Sequence, residues 1–89
     1  MVIVRLATPL RKFSGGKPEI KAEGSTVREI IDNIEAKSPG FADKILDDSD
    51  IKQFINIFHN NEDIRFQKGI DTEIKPDDVL SILPAVSGG

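Results

Sequence analysis

One amphipathic helix, announced by Thr26-Val27-Arg28-Glu29, limits the possible folds of this chain more than any other stretch. The Thr26 hydroxyl and the Glu29 carboxylate are spaced as a capping box, each able to satisfy an end amide, so the helix begins at Val27. Val27, Ile30, Ile31 and Ile34 recur at helical spacing as a single apolar stripe, while Arg28, Asp32, Asn33 and Glu35 fall away from it. A helix with one apolar stripe has to bury it. The segments on either side carry the two-residue period of strands, so the stripe covers a sheet. Ser38-Pro39-Gly40 stops the helix, and Phe41 with Ile45 suggests a short second helical turn or a packed loop.

The strands can be read in order. Val2, Val4 and Leu6 point inward and alternate with Ile3 and Arg5; Pro9 ends the run. Ser14-Gly15-Gly16-Lys17-Pro18 is a turn signal before a second strand at 19–22, and the pair reads as a hairpin with a long loop. Phe54-Ile55-Asn56-Ile57-Phe58-His59 is a strand in which polar Asn56 marks the outer face, placing Ile55 and Ile57 in the core and Phe54 and Phe58 outside. Asn60-Asn61-Glu62-Asp63 reads as a turn, Ile64-Arg65-Phe66 as a short strand and Lys75-Pro76-Asp77-Asp78 as a turn. In the last strand Leu80 and Ile82 go inward, while Val79 and Leu83 share the outer face with Ser81, leaving Leu83 exposed. Strand, strand, helix, strand, short strand, strand is an α+β sheet with one covering helix.

Composition narrows the chemistry. With 89 residues there is room for one small domain, and with no Cys there is no disulfide, catalytic thiol or thiolate metal site. A net charge of −3 argues against a nucleic-acid footprint and suits a partner with a basic docking face. Gly16-Lys17 lacks the earlier glycine and the following Ser or Thr of a phosphate loop. Asp47-Asp48-Ser49-Asp50 lacks the glycine and closing glutamate of a calcium loop and reads as a solvated linker. His59, the sole histidine, reads as a strand-end residue, since it cannot build a transition-metal site alone. There is no secretion leader and no apolar run of membrane-spanning length, so a cytoplasmic location without membrane contact is expected.

What remains is the end. Val79-Leu80-Ser81-Ile82-Leu83 runs through Pro84-Ala85-Val86-Ser87 into Gly88-Gly89. At ordinary glycine usage a given pair of positions would both be glycine about one time in two hundred, which points away from accident. Without Cβ atoms the last two residues can enter a channel too narrow for any side chain. A carboxylate is a poor electrophile, so transfer through Gly89 requires activation, most simply adenylation by ATP on a separate enzyme.

Three pieces together resemble the ubiquitin-like β-grasp sulfur carriers, the group of ThiS, MoaD and CysO. They are Thr8-Pro9-Leu10-Arg11 followed by Gly15-Gly16, the stretch from Phe54 to Phe58 leading into Glu62-Asp63-Ile64-Arg65-Phe66, and the ending from Ile82 to Gly89. The likeness spans nearly the whole chain and is strongest to the CysO type, the carriers of cysteine biosynthesis. The chain departs from the family pattern at His59 and Lys68. The resemblance implies a ubiquitin-like β-grasp fold with a mixed sheet, a domain over 1–83 and a flexible extended tail over 84–89. It implies a carrier rather than an enzyme, which binds no cofactor or metal itself. Gly89 would be adenylated by an activating enzyme of the ubiquitin-activating type, which uses ATP and magnesium, and converted to a thiocarboxylate. Sulfur would pass to a cysteine synthase-like acceptor that uses pyridoxal phosphate, and a metalloprotease would release cysteine. The expected partner surface is the outward sheet face beside the tail, at Phe58 and Leu83, with Pro84, Ala85, Val86, Ser87 and Gly88 of the tail itself, and the resemblance adds Arg11 as a polar contact. The alternatives are a MoaD or ThiS type of carrier, serving molybdopterin or thiamin synthesis, and a ubiquitin-like modifier conjugated to target lysines.

Overall fold

The computed structural model describes residues 1–48 and 50–84. Strand β1 (Val2–Leu6) and strand β2 (Glu19–Ala22) pair antiparallel from Val2↔Ala22 to Arg5↔Glu19, as the hairpin reading expects. Their long connection holds a 3-10 helix over Thr8–Ser14. Pro9 sits in its first turn, where the fixed φ fits and the missing N–H costs nothing. Gly15 (φ 68°) and Gly16 (φ 87°) end it in conformations that other residues adopt only with strain.

Helix α1 (Val27–Lys37) starts where the capping box places it. Thr26 Oγ1 accepts the Glu29 N–H at 3.2 Å, but the Glu29 carboxylate reaches one residue further back than a standard box. It accepts the Ser25 N–H at 2.8 Å and the Ser25 hydroxyl at 2.9 Å. Those bonds, the backbone one foremost, hold its pKa below the usual carboxylate value. Val27, Ile30, Ile31 and Ile34 are all buried. A short helix α2 (Phe41–Ile45) follows, its first amides bound by the Glu35 carboxylate, which accepts from Gly40 and Ala42. Phe41 and Ile45 are buried, and Phe41 meets Phe13 edge-on at 5.4 Å.

The acidic stretch after α2 departs from expectation. Strands β3 (Leu46–Asp47) and β4 (Asp50–Ile51) form a separate two-stranded ladder rather than a linker. Leu46 and Ile51 stand opposite each other and pack against the core, which gives the segment an apolar anchor while its acids stay exposed. Strand β5 (Ile55–His59) begins one residue later than read, leaving Phe54 outside it. It turns into β6 (Glu62–Asp63) through Asn60 (φ 51°) and Asn61 (φ 75°), a two-residue hairpin turn of the type asparagine tolerates best after glycine. Ile64–Phe66, read as a strand, is a 3-10 helix. The Asp63 carboxylate accepts the Arg65 N–H at 2.8 Å, and this local bond pulls the backbone out of the ladder.

After a further 3-10 turn at Gly69–Asp71, strand β7 (Val79–Pro84) enters the middle of the sheet. The strand order is β2-β1-β7-β5-β6, with β1 and β7 parallel from Ile3↔Val79 to Leu6↔Ile82 and the other pairs antiparallel. The inner side chains of β1, β5 and β7, among them Val4, Ile57, Leu80 and Ile82, meet the stripe of α1 in one core. The mixed sheet under one main helix is the architecture the sequence implies.

Candidate functional site

Three strand ends meet at one end of the sheet: the C-terminal ends of β1 and β7 and the N-terminal end of β5. From here the chain continues into Ala85, Val86, Ser87, Gly88 and Gly89, which lie outside the described residues. Pro84 is the last residue of β7, opposite Ile55, one position past the expected strand end. Strand ends accept proline because no ladder bond is asked of its nitrogen. Ile82 is the last β7 residue paired with β1, and its carbonyl accepts the Ala7 N–H at 3.1 Å. Beyond it, Leu83 and Pro84 have β5 as their one strand neighbour among the described residues.

Alternation puts Leu83 and Ser81 of β7 on the outer face with Asn56 and Phe58 of β5. Phe58 stands opposite Ser81 and Leu83 opposite Asn56, so Phe58 and Leu83 are diagonal neighbours within side-chain reach. Leu83 was expected to be exposed, but it is only half-buried, as is Phe58, because residues on a sheet face are shielded by cross-strand neighbours. Arg11, on the 3-10 helix, is half-buried, and its Nε donates to the Leu6 carbonyl at 3.1 Å. That bond fixes Arg11 at the same end of the sheet as Leu83 and Pro84. Phe58 lies further along the face. The result is an outer face on which half-buried Phe58 and Leu83 alternate with Ser81 and Asn56, leading to the point where β7 hands over to the last residues, with Arg11 held at the same end of the sheet.

Two residues are absent from the sequence-level surface. Phe66 is 83% exposed, more than Phe54 at 60%, which the sequence places outside. Reading Ile64–Phe66 as a strand gave Phe66 no distinct role. Arg65 spreads its guanidinium over the start of β5: Nη1 donates to Asn56 Oδ1 at 2.8 Å, and Nη2 donates to the carbonyls of Ile55 at 2.6 Å and Lys52 at 3.2 Å. A lone arginine between Ile64 and Phe66 carries no sequence signal for such a fork. The only cue is that guanidinium geometry matches several acceptors at once.

The polar cluster of the molecule sits at the opposite end. His59 Nε2 donates to Asp78 Oδ2 at 2.7 Å, and its Nδ1 faces Gln67 Oε1 at 2.9 Å. Gln67 Nε2 in turn donates to Glu62 Oε1. Since the Gln67 amide nitrogen must face the Glu62 carboxylate, its oxygen must face the imidazole, and both ring nitrogens then meet acceptors. That arrangement favours the imidazolium. Burial alone would lower the His59 pKa, but the bonds to Asp78 and Gln67, with the charges of Asp78 and Glu62, outweigh it and raise the value. Asp78 is drawn down to about 2 by the His59 bond first, then by the Lys75 N–H, with Asn60 Nδ2 adding a third donor. These groups lock the turn leading into β7. They are remote from its C-terminal end. Among the described residues no group of three or more His, Cys, Asp or Glu side chains could hold a metal ion, and no helix is long and apolar enough to cross a membrane.

Residues 4–89 match the model of the ThiS family. The sulfur carrier protein CysO of Mycobacterium tuberculosis is 38% identical over 91 residues, spanning 99% of this chain and 98% of the other. A chain of the crystal structure of the Amycolatopsis orientalis BexX/CysO complex superposes with a TM-score of 0.95 at 42% identity, covering 100% of both. The solution structure of small archaeal modifier protein 1 from Methanosarcina acetivorans superposes with a TM-score of 0.84 at 33% identity, covering 99% of this chain and 95% of that one.

Proposed function

Because the chain belongs to the ThiS family, as a sulfur carrier of the CysO/ThiS type, we propose that the Gly89 carboxylate is converted to a thiocarboxylate that delivers sulfur for cysteine synthesis. The observation that carries this reading is that the family match runs through Gly89, so the strand-to-diglycine ending lies inside the matched region. A carboxylate oxygen of Gly89 attacks the α-phosphorus of ATP on a ubiquitin-activating-like enzyme, and magnesium pyrophosphate leaves. Hydrosulfide then attacks the acyl carbon and AMP departs with the attacking oxygen. Both steps are displacements without redox change, and they turn a poor electrophile into a soft nucleophile.

The folded domain then serves as an address. Sulfide diffuses freely, whereas a thiocarboxylate on this domain is presented only where a partner accepts the strip of Phe58 and Leu83 and the residues from Pro84 to Gly88. In this reading Arg11 supplies a polar contact to that partner. A CysO chain crystallised in complex with BexX supports the view that carriers of this type work seated on other proteins. The acceptor in this reading is a cytoplasmic enzyme of the pyridoxal phosphate-dependent cysteine synthase class, with a metalloprotease releasing the product. A second reading, conjugation to lysines of target proteins, is favoured by the likeness to small archaeal modifier protein 1.

Deleting Gly89 is the direct test. The shortened chain is expected to unfold at the wild-type temperature, because the core is built from residues up to Ile82, and to lose ATP–pyrophosphate exchange on its activating enzyme. An unchanged exchange rate would overturn the mechanism.

A further inference from the structure

Among the described residues, the end of β7 has a strand neighbour on one side only. β1 stops following it at Ile82, and Leu83 and Pro84 pair with Asn56 and Ile55 of β5. β5 is in turn poorly supported there, because β6 pairs with it only at Phe58 and His59. Where a third strand would stand, the Arg65 guanidinium takes up the Ile55 carbonyl at 2.6 Å, the Lys52 carbonyl at 3.2 Å and the Asn56 side chain at 2.8 Å. The fork is itself anchored, since the Arg65 N–H binds Asp63 Oδ1 at 2.8 Å and Nη1 lies 3.7 Å from Asp63 Oδ2.

We infer that Arg65 is a positioning residue for the end of β7: it fixes the segment of β5 that aligns Leu83 and Pro84, the described residues next to the proposed reactive end. This rests on the carrier reading for its functional meaning, though not for its geometry. The physical argument is one of leverage. Leu83 and Pro84, whose one strand neighbour among the described residues is β5, follow every displacement of that strand, and misplacements of about 1 Å can cost on the order of a hundredfold in rate. A planar guanidinium can hold three acceptors in fixed directions, whereas an ammonium at the same place offers only a point charge.

The test compares wild type, Arg65→Ala, Arg65→Lys and Asn56→Ala. In amide hydrogen exchange, Arg65→Ala is expected to speed exchange at Leu83 about tenfold or more, with Leu80 and Ile57 within about twofold of wild type. Arg65→Lys is expected to restore little, and Asn56→Ala to give an intermediate effect. With the activating enzyme, Arg65→Ala is expected to lower kcat/KM for ATP–pyrophosphate exchange about tenfold, because Leu83 belongs to the docking strip and is released with the strand end. Uniform acceleration of all amides would reduce Arg65 to a general stabiliser and overturn the inference, as would an unchanged Leu83. A wild-type chain that supports no exchange would count against the carrier reading alone, since the amide measurement decides the role of Arg65 independently.

Discussion

His59 shows what a single residue can contribute without taking part in the proposed chemistry. Its side chain is 15% exposed and that of Asp78 17%, so solvent screens their 2.7 Å contact only partly. With its folded pKa raised above 6.5, His59 stabilises the fold fully below about pH 6.5, and this contribution is lost as pH rises through the raised value. Asp78 has the opposite sense: its contribution is present above 3.8 and lost as pH falls toward about 2. We expect the stability difference between wild type and His59→Gln, from urea unfolding, to shrink between about pH 6 and about pH 9. A difference that stays constant or grows would mean that the folded protein does not hold an imidazolium. Leu83 and Arg65 make the complementary point, as their contacts acquire functional meaning only from their position at the other end of the sheet.

At the scale of elements, helix α1 was legible because its signals are local. The Thr26 cap, the four-residue apolar stripe and the Ser38-Pro39-Gly40 stop each depend on near neighbours, and they place the helix at its observed bounds. Thr26→Ala is expected to lower stability by about 1 kcal/mol in chemical denaturation, because the Glu29 N–H would lose its partner. A loss indistinguishable from zero would show that the Ser25–Glu29 bonds alone hold the helix start. Less local elements were harder to read. Ile64–Phe66 has strand composition, but the Asp63 carboxylate decides its backbone, and nothing in the sequence says whether an aspartate will turn back to cap or face solvent. The β3–β4 ladder was hidden for the same reason, because the charges of Asp47 and Asp50 outweigh the apolar flanks Leu46 and Ile51 until the core that receives those flanks is known.

For the molecule as a whole, the alternation of β1, β5 and β7 and the single helix were enough to give the architecture, whereas the sheet order was not. That β7 slides between β1 and β5, joining strands from the two ends of the chain, follows from long-range pairing that periodicity does not encode. This placement gives the ending its setting: β7 is flanked by β1 and β5 as far as Ile82, and Leu83 and Pro84 continue beside β5. Of the candidate surface, the alternation of β5 and β7 made the shared outer face of Phe58 and Leu83 legible, whereas the Arg65 fork over the start of β5 required the structure. The central claim concerns one atom at Gly89, and intact-mass analysis of protein from its native cells, kept free of thiol-reactive reagents and followed by fragmentation, tests it most directly. The account predicts a fraction with one terminal oxygen replaced by sulfur, localised to Gly89. Unmodified chains accompanied by lysine-linked conjugates of higher mass would contradict it and establish the modifier reading.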